Sequence, residues 1–239
     1  QDGEVTQLIS NIKKSYTSNV KNKNDYINLN GLFAKYTGRK VYNGVATLKN
    51  GMLTYDSLSN VDTNKAINSI SELGLWLEST GKEFVYIQEP YKVDMQDELL
   101  PIGVDLPATE IANTVVNGLM GKGIDVIDLR EYVAKTPEQV EQNFYKTDHH
   151  WNNLGAFTAF GKIVEKTKSL FPNSTINTDY IKSENWKQTT YEKWFLGTHG
   201  RRVGVYYGGV DDYVLYEPKF NTEITCYISN HKQYYMYEY

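Results

Sequence analysis

Hydrophobic residues recur at two different spacings through the middle of the chain. Apolar positions three or four residues apart predict helices over residues 67–77, 108–119 and 154–171. Short β-prone runs at residues 84–87 and 124–129 predict strands between those helices. Strands that alternate with helices are typical of an α/β protein, in which a mostly parallel sheet is covered by helices on both faces. The pattern therefore predicts a three-layer sandwich.

Turn and cap residues mark where several of these elements begin and end. Asp62 and Thr136 are suited to cap the starts of two helices, and Gly81 follows the end of the first one. Asn50 and Gly51 lie between two β-prone runs, and this pair favours a type I′ turn because both central residues of that turn need a positive φ. We therefore expect a β-hairpin at this position.

The two ends of the chain differ from the middle. Residues 1–40 are polar and loosely helical, which predicts an N-terminal helical connector before an α/β domain over residues 41–239. The apolar positions of the connector are Val5, Leu8, Ile9 and Ile12. Beyond residue 190, turn-forming residues separate three β-prone runs, which are residues 203–207, 213–216 and 224–228. We expect this region to add antiparallel strands to the domain.

Composition excludes several classes of protein. The net charge of −4 and the pI near 5.6 argue against a nucleic-acid partner, which requires a concentrated basic surface. No apolar run approaches the roughly 18 residues of a membrane-spanning helix, so no transmembrane segment is expected in this chain. Cys226 is the single cysteine, which excludes an internal disulfide and a cysteine-based zinc site. The chain has no nucleotide-binding glycine motif, so we predict no cofactor.

The residues with the clearest chemistry are Asp148 and His150, which lie just before a predicted helix. In extended backbone, residues two positions apart share a face, so the two side chains are expected to project together while His149 points away. A carboxylate beside an imidazole fixes the tautomer of the imidazole and stabilises the imidazolium that forms when the histidine accepts a proton. The pair is therefore a candidate orienter and base for a nucleophilic enzyme.

Two other interpretations of this segment remain open. Asp148 and its polar neighbours could simply cap the helix, with Trp151 packed beneath them. Asp148 and His150 could also bind a metal together with His199 or His231. The spacing of these residues is not diagnostic of a metal site, and we assign no metal.

The sequence around the pair resembles a known family. Residues 147–151, Thr-Asp-His-His-Trp, followed by Asn-Leu-Gly-Ala at residues 153–156, are similar to the signature of the DHHW family, which is related to the SGNH-hydrolase-like alginate O-acetylation proteins. The resemblance implies an SGNH-like α/β fold in which Asp148 and His150 are the acid and base of a Ser–His–Asp triad. It also implies an extracytoplasmic bacterial protein, secreted or at the cell surface. Such a protein would act on acyl esters of polysaccharide, with a membrane-bound partner as the acyl donor.

The serine of such a triad is not evident in the sequence. In the relatives, the nucleophile follows the Asp-x-His-Trp motif and has an aspartate before it. The serines after Trp151 lack that aspartate; they are Ser169, Ser174, Ser183 and Ser229. Because the chain also stops in an aromatic run at Tyr239, we expect that the nucleophile segment is missing and that this chain alone is inactive. Ser57 does follow an aspartate, but Tyr55 replaces the glycine that exposes the serine in SGNH hydrolases, so we interpret Ser57 as a turn residue.

Taken together, these observations predict an ester hydrolase or O-acetyltransferase that acts on a cell-surface or secreted polysaccharide through a serine outside this chain. The alternative is a non-catalytic carbohydrate-binding or scaffold protein of a surface polysaccharide system. Trp186 and Trp194 are candidate sugar-stacking residues under either hypothesis, and we expect at least one of them to pack in the core.

Overall fold

The computed structural model describes residue 7 and residues 21–59, 61–228 and 231–237, and it describes no side chains for residues 224–228 and 231–237. The helices in chain order are α1 (Lys23–Tyr36), α2 (Thr63–Ser79), α3 (Ala108–Gly121), α4 (Arg130–Val133), α5 (Pro137–Asn143), α6 (Asn153–Leu170), α7 (Thr198–Val203) and α8 (Val205–Gly208). The strands in chain order are β1 (Val41–Tyr42), β2 (Val45–Thr47), β3 (Leu53–Tyr55), β4 (Val85–Gln88), β5 (Asp125–Asp128), β6 (Trp186–Phe195), β7 (Asp211–Pro218), β8 (Thr222–Ile228) and β9 (His231–Tyr237). Short 3₁₀ turns cover Asp97–Leu99, Thr178–Ile181 and Ser183–Asn185.

A parallel strand pair, β4 and β5, lies at the centre of the α/β core. Its side chains alternate between the two faces. Ile87 and Ile127 pack against α6, whereas Tyr86 and Val126 pack against α2 and α3. Helices therefore cover both faces, which confirms the predicted α/β class and its layers. Within the described residues the parallel part of the sheet consists of these two strands, and the other strand pairs are antiparallel.

The predicted helix caps are present. The Asp62 side chain accepts a hydrogen bond from the Lys65 amide at 2.9 Å where α2 begins, and Thr136 accepts one from the Gln139 amide at 3.3 Å where α5 begins. Each cap of this kind stabilises its helix by about 1 kcal/mol, because it satisfies an amide that has no partner within the helix. Gly81 follows α2 with a φ of 78°, a conformation that favours glycine.

The predicted hairpin is formed by β2 and β3, but its turn differs from the prediction. Gly51 has a φ of 83°, whereas Asn50 does not have a positive φ, so the expected type I′ turn is wrong. The Gly51 amide donates to the Leu48 carbonyl at 2.9 Å, and the Leu48 amide donates to the Met52 carbonyl at 2.8 Å. These contacts define a three-residue loop, a type I turn followed by a left-handed glycine, which also suits the twist of a hairpin.

Antiparallel strands follow the α/β core, as the sequence predicts. β6 pairs with β7, and β8 pairs with β9. The predicted runs 213–216 and 224–228 lie in β7 and β8. β6 was not predicted because its sequence is mostly polar and its side chains are mostly exposed, so it lacks the alternation that marks a half-buried strand.

The β-prone run at residues 203–207 is not a strand, and that prediction is wrong. It forms the end of α7 and most of α8, with Gly204 between the two helices at a φ of 86°. Val203 and Tyr207 are buried against Ala34 of α1 and against the β2–β3 hairpin. Packing against these elements outweighs the intrinsic strand preference of the segment.

Helix α1 packs closely on the rest of the molecule. A Cβ at Gly31 would collide with the Val203 carbonyl oxygen, and the Asn28 side chain accepts a hydrogen bond from the Val205 amide at 3.0 Å. The boundary near residue 40 stays a prediction, and the apolar positions named for the connector lie outside the described residues. In the part of the chain that the structure describes, no helix is both long and apolar enough to cross a lipid bilayer.

Candidate active site

Asp148 and His150 lie in a tight loop between α5 and α6. Phe144 and Trp151 form an isolated antiparallel bridge at the base of this loop, and the Asn152 amide donates to the Asn143 carbonyl at 2.7 Å. The Asn152 side chain then caps α6. The loop, residues 145–150, is hereafter called the Asp–His loop.

The predicted contact between the two side chains is present. His150 Nδ1 lies 2.6 Å from Asp148 Oδ1, and the same oxygen accepts the His150 backbone amide at 3.0 Å. A bend in the backbone, in which the Asp148 carboxylate accepts the His150 amide, brings the two side chains together. The extended backbone that we expected here is not present. With Nδ1 facing Asp148, the opposite ring nitrogen of His150 faces away from the carboxylate. The His150 side chain is 65% exposed.

The second carboxylate oxygen of Asp148 is bound by helix α7. The Thr198 amide donates to Asp148 Oδ2 at 2.5 Å. Burial alone would raise the pKa of Asp148, but the hydrogen bonds from Thr198 and His150 outweigh burial and hold this pKa well below its usual range. Asp148 is therefore a carboxylate in which both oxygens are fixed.

Asp211, at the start of β7, holds the adjoining part of the loop. Its carboxylate accepts the Lys146 amide at 2.6 Å and the Thr147 amide at 2.8 Å, and it also accepts the Thr147 hydroxyl at 2.5 Å. Thr147 in turn accepts the Gly197 amide at 2.9 Å. Asp211 is not evident in the sequence, because nothing local to it indicates a partner 64 residues away.

Lys92 supports the same loop from the other side. It is fully buried, and its ammonium donates to the carbonyls of Leu53 and Tyr145, each at 2.7 Å, and of Lys146 at 3.3 Å. It also donates to the carbonyl of Asp148. Burial lowers the pKa of Lys92 to about 7, and the Asp211 and Asp148 carboxylates act in the opposite direction. No sequence pattern indicates this role, since a lysine between Tyr91 and Val93 is typical of a surface position.

His149 does not point away from the pair, and that expectation is wrong. Its ring lies 3.8 Å from the His150 ring between centroids, and its Nδ1 is 3.3 Å from Asp148 Oδ1. It also packs against Tyr55 at 5.6 Å and His199 at 5.7 Å. Burial and the neighbouring His150 lower the pKa of His149. Its contacts with other elements are thus packing contacts.

His199 is fully buried beside this cluster. Its ring forms a T-shaped pair with the Tyr55 ring, with 4.5 Å between the centroids, and neither ring nitrogen has a hydrogen-bond partner among the described residues. Burial lowers the pKa of His199 to about 3, so the ring is neutral at ordinary pH.

The structure groups a different set of potential metal ligands from the set that the sequence suggested. Among the described residues, ligand atoms of Asp148, His149 and His150 lie within 4.8 Å of one another, and His199 is not part of that group. The His231 side chain lies outside the described residues. Two ligands of one tetrahedral metal stand roughly 3.3 Å apart, whereas Asp148 and His150 are 2.6 Å apart. This separation fits a hydrogen bond better than a shared metal.

The candidate serines do not complete a triad in the described residues. Ser57 is exposed, and its hydroxyl donates to Asp56 at 3.2 Å. Ser169 donates to the Lys166 carbonyl within α6. In the part of the chain that is described, no serine hydroxyl is hydrogen-bonded to His150, and Ser229 lies outside it.

The fold and the loop define an SGNH hydrolase-like domain. Residues 50–192 match the family described as an SGNH hydrolase-like domain, acetyltransferase AlgX, and the chain belongs to this family. No curated protein sequence matches the chain.

Solved structures share the fold. PatB1 of Bacillus cereus aligns with a TM-score of 0.63 and 20% identity over 81% of this chain and 65% of that chain. The O-acetyltransferase domain of Pseudomonas putida AlgJ aligns with a TM-score of 0.55 and 15% identity, over 73% and 66% of the two chains. A DHHW family protein from Eubacterium siraeum aligns with a TM-score of 0.51 and 18% identity, over 77% and 57%. The chain thus spans less than two thirds of the length of PatB1.

Proposed function

We propose that this protein transfers or hydrolyses acetyl esters of a polysaccharide outside the cytoplasm, with His150 as general base and Asp148 as its orienter. The observation that carries the proposal is the 2.6 Å contact between His150 Nδ1 and Asp148 Oδ1, in a carboxylate whose other oxygen is bound by Thr198. Membership of an acetyltransferase family and the O-acetyltransferase activity named for AlgJ support it.

The geometry suits each proton transfer of the reaction. A serine hydroxyl attacks the acetyl carbonyl while the outward nitrogen of His150 accepts its proton, and the imidazolium then returns that proton to the leaving alcohol. The resulting acyl-serine is attacked by water in hydrolysis or by a sugar hydroxyl in transfer. His150 removes the proton of the incoming group and gives it to the serine oxygen as the acyl–serine bond breaks. Asp148 stays ionised throughout, because its low pKa opposes uptake of a proton.

The serine belongs, in this proposal, to a segment outside the 239 residues. Within the described residues the His150 ring is bonded to Asp148 alone. One structure of PatB1 carries a sulfonyl adduct, which suggests a sulfonylating reagent for the test.

The test compares this chain with a version extended by its own gene beyond Tyr239, both treated with methanesulfonyl fluoride and assayed with 4-nitrophenyl acetate. We expect labelling and turnover in the extended protein, loss of both in His150→Ala, and neither in the short chain. Turnover by the short chain that disappears in Ser57→Ala, but not in Ser183→Ala, would instead identify Ser57 as the nucleophile. An extended protein that is neither labelled nor active would support the non-catalytic alternative.

A further inference from the structure

The antiparallel pair of strands β6 and β7 carries an exposed aromatic cluster beside the Asp–His loop. Trp194 is 67% exposed and Tyr191 is 43% exposed. The Trp194 ring lies 5.8 Å from the Tyr191 ring and 5.5 Å from the Tyr213 ring between centroids. These three residues are hereafter called the aromatic platform. Trp186, on the same strand, instead packs against Phe157 of α6 in an edge contact at 5.7 Å.

A bulge in β6 sets the direction of Trp194. Tyr191 pairs with Tyr213 and Phe195 pairs with Asp211, so residues 192–194 stand opposite the single residue 212. Lys193 has a φ of 50°, which is uncommon outside glycine, and its amide donates to the Asp212 side chain at 2.7 Å. Bulges of this kind often re-aim a side chain near an active site. The strained Lys193 indicates that the position of Trp194 is held by specific contacts.

The aromatic platform is connected to the Asp–His loop by direct contacts. Tyr213 lies 6.4 Å from Phe195, and Phe195 lies 4.4 Å from Tyr145 at the start of the loop. Asp211, next to the platform in β7, bonds the amides of Lys146 and Thr147. The platform and the loop are therefore joined by a continuous chain of contacts.

We propose that the aromatic platform is a subsite that binds one pyranose ring of the polysaccharide, an inference that rests on the proposed function. One face of a pyranose is a patch of C–H groups that stacks on an aromatic ring, while its hydroxyls point outward to polar side chains. Glu192, Lys193 and Asp212 are exposed around Trp194 and supply those polar partners. Trp and Tyr suit this role because each joins a large apolar face to a polar edge.

The composition and size of the surface favour a sugar over a protein partner. The cores of protein interfaces are depleted in charged residues, and a stable interface covers about 800 Å² on each side. The platform has three aromatic residues, of which Tyr213 is half-buried, and charged residues interrupt it. Its neighbouring ring centroids lie 5.5 and 5.8 Å apart, a spacing that suits one sugar ring.

Binding is tested by saturation-transfer NMR with three tetrasaccharides: cellotetraose, tetra-N-acetylchitotetraose and tetramannuronate. We expect the wild-type protein to bind at least one of them, and Trp194→Ala to weaken that binding about tenfold or more. Trp76→Ala is the matched control, since Trp76 is 60% exposed on α2, outside the platform, and its loss should change nothing. Trp194→Phe should retain part of the affinity because it keeps an aromatic face.

Absence of binding to all three sugars, equal binding by Trp194→Ala, or an equal loss in Trp76→Ala would overturn the proposal. So would a dimer in size-exclusion chromatography that Trp194→Ala dissociates, because the platform would then be a protein interface. The extended protein with His150 intact separates this subsite from the catalytic proposal. Sugar binding that depends on Trp194 but comes without esterase activity would sustain the subsite while refuting the enzyme, and esterase activity without sugar binding would do the reverse.

Discussion

The Thr198 amide donates a 2.5 Å hydrogen bond to Asp148 Oδ2, and this contact joins helix α7 to the Asp–His loop. It depends on the residue before Thr198. A Cβ at Gly197 would lie 2.5 Å from the Thr147 carbonyl oxygen and closer still to Asp148 Cβ. The glycine is therefore required for the approach of the two backbones, and not for an unusual φ of its own.

Gly197→Ala should disrupt this contact. The added methyl group must displace the loop or α7, so we expect a loss of about 2 kcal/mol or more in the free energy of unfolding, measured in urea. Gly121→Ala is the control, because a Cβ at Gly121 would meet no atom within 4 Å. Equal stabilities of the two variants would contradict the close approach.

Lys92→Met should be strongly destabilising. Methionine keeps much of the side-chain volume but leaves the carbonyls of Leu53, Tyr145 and Asp148 without their buried donor. We expect a loss of about 3 kcal/mol or more by urea unfolding, since each unsatisfied buried group costs about 1–3 kcal/mol.

The exposed Lys82 provides the comparison for this substitution. Lys82→Met should alter the free energy of unfolding by less than about 0.5 kcal/mol. If Lys92→Met lowered the free energy of unfolding by no more than Lys82→Met does, the buried ammonium would not support the loop.

His199→Phe should make the protein less sensitive to acid. The pKa of His199 is about 3 in the folded state and about 6.5 in the unfolded chain, so the unfolded chain binds the additional proton between these values. Stability therefore falls as the pH drops below about 6.5, and His199 alone costs about 2 kcal/mol at pH 5.

The measurement is the difference in unfolding free energy between pH 7.5 and pH 5. This difference should be about 2 kcal/mol smaller in His199→Phe than in the wild type. An unchanged difference would mean that His199 can be protonated in the folded protein, in conflict with its complete burial.

Asp94→Asn should have the opposite dependence on pH. Burial raises the pKa of Asp94 to about 6, and one of its carboxylate oxygens has no hydrogen-bond partner among the described residues. Between about pH 4 and pH 6 the carboxyl group stays protonated in the folded protein but is ionised in the unfolded chain. The free energy of unfolding therefore falls as the pH rises through this range.

Asparagine removes that charge and can still accept the Tyr91 amide, which bonds Asp94 at 2.7 Å. The variant should be more stable than the wild type by about 1–3 kcal/mol at pH 7.5, with little difference at pH 4. The exposed Asp105 supplies the control, because Asp105→Asn should show no such pH-dependent gain. A gain of equal size at both pH values would exclude the buried charge as its source.

Local sequence signals predicted the elements whose determinants are themselves local. Asp62 and Thr136 cap the predicted helices because a cap depends on residues only three positions away. The contact of Asp148 with His150 was predictable for the same reason, although a bend forms it and not a strand.

Long-range contacts account for the wrong strand prediction at residues 203–207 and for the residues that were missed. The run at residues 203–207 has strand-forming side chains, yet α1 and the β2–β3 hairpin bury it as helix. Lys92 and Asp211 act on backbone groups more than fifty residues away, and no periodicity or spacing encodes such a partner.

These sequence separations also bear on the order of folding. Asp148 receives its partners from Thr198, 50 residues away, and from Lys92, 56 residues away, while Asp211 bonds the neighbouring Thr147 across 64 residues. Contacts across such long loops form late, because the entropy of loop closure must be overcome first. The hydrogen bond from Thr198, and with it part of the acidity of Asp148, therefore belongs to the completed fold. In a fragment without α7 and β7, where only the local contacts with His150 remain, the pKa of this carboxyl group should rise toward that of an ordinary aspartate.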